Sequence, residues 1–213
     1  MKRILLVLVM MLSFGVVGCS DDSKQAASSS AVQSTVDEKE KPEDEESENS
    51  EKDERGIPGS AYVDIALGLE QRGFPKYTTQ KIEEMDCMYI EPVIYNDPDT
   101  GAELSYYLTY LGTGTGAMGE VITADFSIAN LGGVNNDDFI ALAKSYLTFC
   151  ATMPYDTSDV DAVIKWVDEN IQNTSSAENI ATTTIGDAKF EMSGGTFPSG
   201  VAGSRRLTIS KNS

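Results

Sequence analysis

Carboxylates are the side chains through which this chain of 213 residues could do chemistry, because it contains no histidine. Without histidine there can be no Ser-His-Asp or Cys-His nucleophile and no histidine-ligated zinc. Two carboxylates at a suitable separation are enough for glycoside hydrolysis, so a hydrolase remains an alternative. Its candidate residues are Glu83, Glu84, Glu91, Glu103, Glu120 and Asp125. Nothing in their spacing selects a pair, and the sequence therefore favours a protein that is not an enzyme.

Two short motifs look like ligand loops, but their surroundings argue against both readings. Gly114, Gly116 and Gly119 match the G-x-G-x-x-G dinucleotide fingerprint, yet that fingerprint must open a helix and the next segment alternates like a strand. Asp97-x-Asp99 begins like an EF-hand loop, but Ala102 and Leu108 stand where that loop needs glycine and glutamate. We therefore predict no cofactor and no metal, with a weak calcium site at this turn as an alternative.

Three cysteines occur, at Cys19, Cys87 and Cys150. A bridge between Cys87 and Cys150 would close a long loop and could contribute about 4 kcal/mol by chain entropy. Cys150, however, lies in an apolar helical stripe, where a free cysteine behaves as a small buried hydrophobe. The sequence leaves the bridged and the free pair open.

The first residues of the chain have the anatomy of a secretory signal. Lys2 and Arg3 precede an apolar run over residues 4–17, which is shorter than the roughly 20 residues of a transmembrane helix. The run closes with Val16-Val17-Gly18-Cys19, which resembles the lipobox of bacterial lipoproteins. That resemblance implies removal of residues 1–18, a diacylglyceryl group on the sulfur of Cys19 whose acyl chains can be labelled with palmitate, and a lipid anchor in a bacterial cell membrane. The alternatives are an ordinary signal peptide whose apolar run happens to end near a cysteine, and a chance apolar start.

A change of composition after Cys19 predicts a tether. Residues 20–56 contain 13 acids, 5 bases and no aromatic residue, for a net charge of −8. Such a segment cannot bury enough apolar surface to offset its chain entropy. Residues 19–56 are therefore predicted to be a lipidated cysteine with a disordered acidic tether of about 36 Å reach.

Residues 57–213 are long enough for one domain with its own core. Their net charge is −12, so the domain should be repelled by nucleic acid and by anionic lipid head groups. We therefore exclude nucleic acid as a partner and expect an extracytoplasmic domain that touches the membrane only through its lipid.

The element order predicted for this domain is helix, three strands, two helices, two strands. The first helix covers residues 60–72, with Ser60 as its N-cap and a stop at Gly73 and Pro75. Strands are predicted at residues 87–95, 103–111, 120–130, 185–193 and 205–210, with Ile122, Ala124, Phe126 and Ile128 on the buried face of the third. Residues 194–200 are expected to form a flexible loop. The pattern predicts an α+β domain with an antiparallel sheet of about five strands and helices on one face.

A short helix ending in Arg72-Gly73-Phe74 ahead of an antiparallel meander is similar to small exported α+β lipoprotein domains, among them β-lactamase-inhibitor-like and outer-membrane-assembly-lipoprotein-like ones. The resemblance implies binding or inhibition rather than catalysis. We therefore expect a module that binds an envelope or extracellular protein or peptide through Tyr89, Tyr95 and Tyr107 on the solvent face of the sheet. The alternatives are a carboxylate hydrolase, an envelope ligand- or ion-binding protein, and tyrosines that are merely strand formers.

Overall fold

The computed structural model describes residues 53–112, 119–131, 133–153, 155, 159–174 and 179–212. The chain divides into two units, Met1–Glu46 and Ser47–Ser213, and every described residue belongs to the second. The predictions for the signal segment, for Cys19, for residues 20–52 of the tether and for Gly114 and Gly116 lie outside the described residues.

The described residues form three α-helices, seven strands and one 3-10 turn. The helices are α1 (Tyr62–Glu70), α2 (Asn136–Ala151) and α3 (Val160–Asn170), and the 3-10 turn is Glu83–Met85. The strands are β1 (Thr79–Ile82), β2 (Cys87–Asn96), β3 (Glu103–Leu111), β4 (Val121–Ala129), β5 (Ala181–Ile185), β6 (Ala188–Thr196) and β7 (Ala202–Lys211). Within the ranges described, no helix has the length and apolarity to cross a membrane.

All seven strands belong to one antiparallel sheet with the order β1-β2-β3-β4-β7-β6-β5. The predicted α+β class with an antiparallel sheet is confirmed, whereas the predicted count of about five strands and the element order are wrong. The two missed strands are β1 and β5, which are four and five residues long and lie at the edges of the sheet. Polar residues make up three of the four positions of β1 and three of the five positions of β5, so neither shows the apolar alternation by which a half-buried strand is found.

The two faces of the sheet differ, as the alternation of β3 shows most clearly. Leu104, Tyr106 and Leu108 are buried, and the same face carries the three helices. We call it the helix face. Helix α1 packs there through Ile65 and Leu69, and the ring of Tyr62 stacks on Tyr110 with the centroids 3.7 Å apart. The opposite face, which carries the intervening side chains, is called the open face.

Because of a register shift between β3 and β4, one residue that was predicted to lie in the core does not lie there. Thr109 pairs with Thr123 but Tyr110 pairs with Val121, so an extra residue on β4 interrupts the alternation. Val121 is consequently fully buried, while Ile122, which was predicted to face the core, is only half-buried. Such bulges insert one residue and reverse the side-chain direction beyond it.

The connection between β6 and β7 is tighter than predicted. Gly194 to Thr196 continue β6 instead of forming a flexible loop, and the chain turns at residues 197–200. The amide of Gly200 donates to the carbonyl of Phe197 at 2.8 Å, and the amide of Phe197 donates to the carbonyl of Val201 at 2.8 Å. Two consecutive glycines suggested a loop, although here they allow other backbone segments to approach β6 closely.

Helices α2 and α3 each start with a side-chain N-cap, whereas α1 does not. The side chain of Asn135 accepts from the amide of Asp138 at 3.0 Å, and that of Asp159 accepts from the amide of Ala162 at 2.9 Å. Ser60 was predicted to cap α1, but the helix begins after Ala61 without a side-chain cap. The Ser60 hydroxyl instead accepts from the Val121 amide at 2.8 Å and donates to the Ile57 carbonyl at 2.6 Å, which ties the start of the domain to β4.

Residues 53–56, which composition assigned to the tether, contact the sheet. Nη1 of Arg55 donates to the carbonyl of Met85 at 2.7 Å, and Nζ of Lys211 donates to the carbonyl of Glu54. The Ile57 amide donates to the Val121 carbonyl at 2.8 Å, and the Ile57 side chain is fully buried. The folded part of the described chain therefore starts earlier than the composition indicated.

Candidate functional site

The open face is a broad polar surface at the centre of the seven-stranded sheet. Register places the side chains of four neighbouring strands in one row across it: Tyr107, Asp125, Thr208 and Glu191. A second row contains Gln80, Tyr89, Thr109, Thr123, Ser210, Lys189 and Thr184. No described helix packs on these rows, because the buried residues of all three helices belong to the core on the other side.

Tyr89 and Tyr107 come together on the open face. Their ring centroids are 6.0 Å apart with an interplanar angle of 39°, within the range of attractive aromatic pairs. The hydroxyl of Thr109 donates to Oη of Tyr107 at 3.2 Å and helps to fix that ring. Both tyrosines are half-buried, so each exposes part of an aromatic ring with a polar tip.

Tyr95 does not join them, and its place on the predicted binding face is corrected. The register of β2 against β3 shifts between Ile90 and Val93, and this bulge reverses the side-chain direction of all later residues. Tyr95 therefore points to the helix face, where its ring centroid lies 5.3 Å from that of Phe74. A proline inside a strand such as Pro92 is typical of an edge strand or a bulge, but the change of face follows only from the register.

Asp125 is the most tightly bound carboxylate of the open face. Its Oδ1 accepts from Nε of Arg206 at 3.1 Å, from Nη2 of Arg206 at 2.8 Å and from the hydroxyl of Thr208 at 2.6 Å. The side chain of Asp125 is 19% exposed and that of Arg206 is 57% exposed. The carboxylate is therefore held in place, while the guanidinium remains accessible. Strand alternation alone places Asp125 outward, but its partners are more than 80 residues away in sequence.

Further charges of both signs lie on the same face. The carboxylate of Glu91 accepts hydrogen bonds from the side chains of Thr78 and Gln80. On β6, Nζ of Lys189 lies 2.9 Å from Oε2 of Glu191. The open face thus carries two acids and a base besides the Asp125 and Arg206 pair, in an arrangement fixed by the strands.

Two of the other candidate carboxylates, those of Glu83 and Glu120, have partners of their own away from Asp125. Glu83 pairs with Lys81 at 2.9 Å, and Oε1 of Glu120 accepts from the amide of Gly59 at 3.4 Å. At the turn between β2 and β3, Oδ2 of Asp97 accepts from the hydroxyl of Thr100 at 2.5 Å, as aspartates in turns commonly do. Among the residues that the structure describes, no three acidic, cysteine or histidine side chains converge as metal ligands.

Cys87 and Cys150 are both buried and both free in the structure. Cys150 lies on the buried stripe of α2, and Cys87 lies at the start of β2 near Arg55. Burial raises the pKa of each thiol because the thiolate would lose its hydration. In the structure the two thiols are not bridged, which is one of the two alternatives that the sequence left open.

We expect these two thiols to react with a thiol reagent at least about 100-fold more slowly in the native protein than in the unfolded chain, because both are buried and protonated. The free energy of unfolding should also fall as the pH rises above 9.0, the ordinary pKa of a cysteine thiol. Above that pH the thiols of the unfolded chain lose protons that the folded chain retains. A Cys19→Ala variant, unfolded in denaturant without reductant, should show two thiols. A count of zero would mean that the pair is bridged.

Comparison of the chain with protein-family models, with curated proteins and with solved structures finds no match. The geometry of the described residues and the pattern of the N-terminal sequence are therefore what the following proposals rest on.

Proposed function

We propose that this protein is a membrane-anchored lipoprotein of the bacterial cell envelope whose extracytoplasmic domain binds a protein or peptide through the open face. One observation carries the binding role: a seven-stranded sheet with its helices on one side presents a continuous second side that is neither apolar nor covered by a described helix. Side chains on strands hold their positions well, so this surface is already formed before a partner arrives.

The side chains of the open face have the composition of a protein-binding surface. Tyrosine and arginine are enriched in protein interfaces and dominate their energetics, since both combine a large contact area with polar groups. Tyr89, Tyr107 and Arg206 supply such anchors near the centre of the face, and a set of threonine and serine side chains surrounds them. The open face does not provide a deep, enclosed site of the kind that catalysis uses.

The charge of the domain narrows the class of partner. With a net charge of −12 over residues 57–213, the domain attracts cationic proteins and repels polyanions over long range. Arg206 and Lys189, together with Asp125, Glu91 and Glu191, give the face both signs, so close contact would be selective for a partner of matching pattern. A basic protein or peptide of the envelope fits both properties.

The anchor supports the same role. Two acyl chains on Cys19 would hold the protein stably, since one chain gives only marginal membrane binding. The acidic segment after Cys19 would then let the domain reach partners about 36 Å from the membrane surface. A tethered binding module needs these two features and no catalytic group.

Photo-crosslinking in cells tests the binding role. Benzoylphenylalanine placed at Tyr107 of the full chain should crosslink to a specific envelope protein, because this position lies on the open face. The double variant Tyr89→Ala, Tyr107→Ala should reduce the affinity of the purified protein for that partner by about tenfold or more, as loss of aromatic anchors commonly costs over 1 kcal/mol each.

Leu67 provides the matched control, since it is 46% exposed but lies on α1, on the other side of the domain. Benzoylphenylalanine at Leu67 should give no crosslink to that protein, and Leu67→Ala should leave the affinity unchanged. Crosslinks that form equally from both positions, or from neither, would count against binding through the open face.

A further inference from the structure

A cleft opens on the side of the domain away from the open face, between the first half of α2 and the turn that joins β6 to β7. Its volume is about 750 Å³, and its lining includes Arg205, Lys144, Asn136, Asp137, Ala141 and Gln172. Clefts of roughly 300–1,000 Å³ with a few converging polar groups are typical of small-molecule sites. We call it the Arg205 cleft.

Arg205 is the unusual residue of this cleft, because it is a charged side chain with only 2% exposure. It takes a position on the helix face of β7, between Ile128 of β4 and Gly194 of β6. Leu207 and Ile209, the next residues with the same side-chain direction, are fully buried core residues. The alternation of β7 could therefore have identified an arginine that points inward.

Backbone carbonyls hold part of the guanidinium. Nε of Arg205 donates to the carbonyl of Ile171 at 2.6 Å, and Nη1 donates to the carbonyls of Ser204 at 2.7 Å and Gly195 at 3.3 Å. Nη2 donates no hydrogen bond to any residue in the described part of the chain. Arg205 lines the cleft, and Nη2 is its one guanidinium nitrogen without an acceptor in the described part of the chain.

The positive charge of Arg205 is only partly compensated. Ile171 is the C-cap of α3, where the helix dipole is negative and favours a cation. No carboxylate in the described ranges forms an ion pair with Arg205, and a buried charge without a counter-ion is unfavourable. An anion in the cleft would supply the missing charge.

We propose that the Arg205 cleft binds a small ligand through an oxyanion group, a carboxylate or a phosphate, placed against Nη2 of Arg205. Lys144 adds a second cation to the lining, and its half-exposed Nζ, now 2.9 Å from Oδ1 of Asp168, can turn toward a ligand. Asp137 also lines the cleft, and its carboxylate can accept from a donor group elsewhere on the same ligand. Binding here is independent of the open face, which lies on the other side of the sheet.

Titration calorimetry on the full chain tests the proposal with inorganic phosphate and with N-acetylglycine, a minimal carboxylate. N-acetylglycinamide, which has the same shape but no charge, is the ligand control. We expect at least one anion to bind with a dissociation constant of about 1 mM, a typical affinity for a single small group. Whichever anion binds more tightly identifies the oxyanion that the cleft prefers.

Ala141 is an exposed residue of α2 that lines the cleft without touching the hydrogen bonds of Arg205, so it can be changed without disturbing that residue. Ala141→Glu should weaken anion binding about tenfold by repulsion, whereas Ala141→Gln, of equal size and no charge, should weaken it less than about threefold. Circular dichroism would verify that both variants fold. Crosslinking from Tyr107 should be the same in both, which separates this test from that of the open face.

The proposal is overturned if neither phosphate nor N-acetylglycine binds at about 10 mM, if N-acetylglycinamide binds as tightly as N-acetylglycine, or if Ala141→Glu and Ala141→Gln bind the anions alike. In those cases Arg205 serves only to join the end of α3 to β6 and β7.

Discussion

Replacing Gly194 by alanine is expected to destabilise the domain by about 4 kcal/mol, at the upper end of what a single added methyl group costs. A Cβ atom at Gly194 would lie 2.1 Å from the carbonyl oxygen of Thr174 and 2.9 Å from that of Ser204. Both obstacles are backbone atoms, so neither can rotate away as a flexible side chain could. Either β6 or the segment after α3 would have to move.

The consequence extends to Arg205, because the same Cβ atom would lie 2.9 Å from its Nη1. Displacing the guanidinium would weaken its hydrogen bonds to Ile171, Ser204 and Gly195, and a buried carbonyl that loses its donor costs about 1–3 kcal/mol. The steric clash and the loss of hydrogen bonds therefore both lower the stability of Gly194→Ala.

Gly195 is the control, since it is the next residue of the same strand. The nearest atom to a Cβ at Gly195 is Oγ of Ser204 at 3.0 Å, the end of a side chain that can change its rotamer. Gly195→Ala should therefore shift stability by no more than about 1 kcal/mol. Urea unfolding followed by circular dichroism measures both variants, and equal midpoints for Gly194→Ala and wild type would contradict the packing described for β6.

Replacing Cys19 by alanine is expected to remove essentially all acyl label and to release the protein from the membrane. The proposed anchor consists of acyl chains on this residue, and each buried methylene contributes about 0.8 kcal/mol to membrane binding. Growth with radiolabelled palmitate, followed by membrane fractionation, measures the effect.

Cys87→Ala is the matched control for this experiment, because Cys87 is a buried thiol of the folded domain. It should keep the full palmitate label and the membrane fraction of the wild type. Equal labelling of the wild type and of Cys19→Ala would refute the lipobox interpretation.

Local patterns predicted the long elements well. The hairpin of β2 and β3 and the left-handed Gly73 at the end of α1 both occur as expected. Each depends on residues close together in sequence, where turn chemistry, capping and periodicity act directly. Elements without such signals were missed: β1 and β5 are short and polar, and they are strands only because β2 and β6 offer them hydrogen bonds.

The candidate sites likewise combine features that local sequence patterns predict with contacts between residues far apart in sequence. Alternation placed Tyr107 and Asp125 outward, but the pairing of Asp125 with Arg206 joins residues that are 81 positions apart. Similarly, the cleft depends on α2, α3 and the β6–β7 turn converging on Arg205, which no local window of sequence contains.

The sequence by itself determined the absence of histidine chemistry, the acidic charge of the domain, the α+β class and the signal-like start of the chain. Only the tertiary structure decided which side chains share a surface. Tyr95 is the clearest case, because one extra residue at the bulge in β2 moves it from the face of Tyr89 and Tyr107 to the helix face. A strand reverses its side chains with every residue, so facing is set by the register against a neighbouring strand, and register is a property of the assembled sheet.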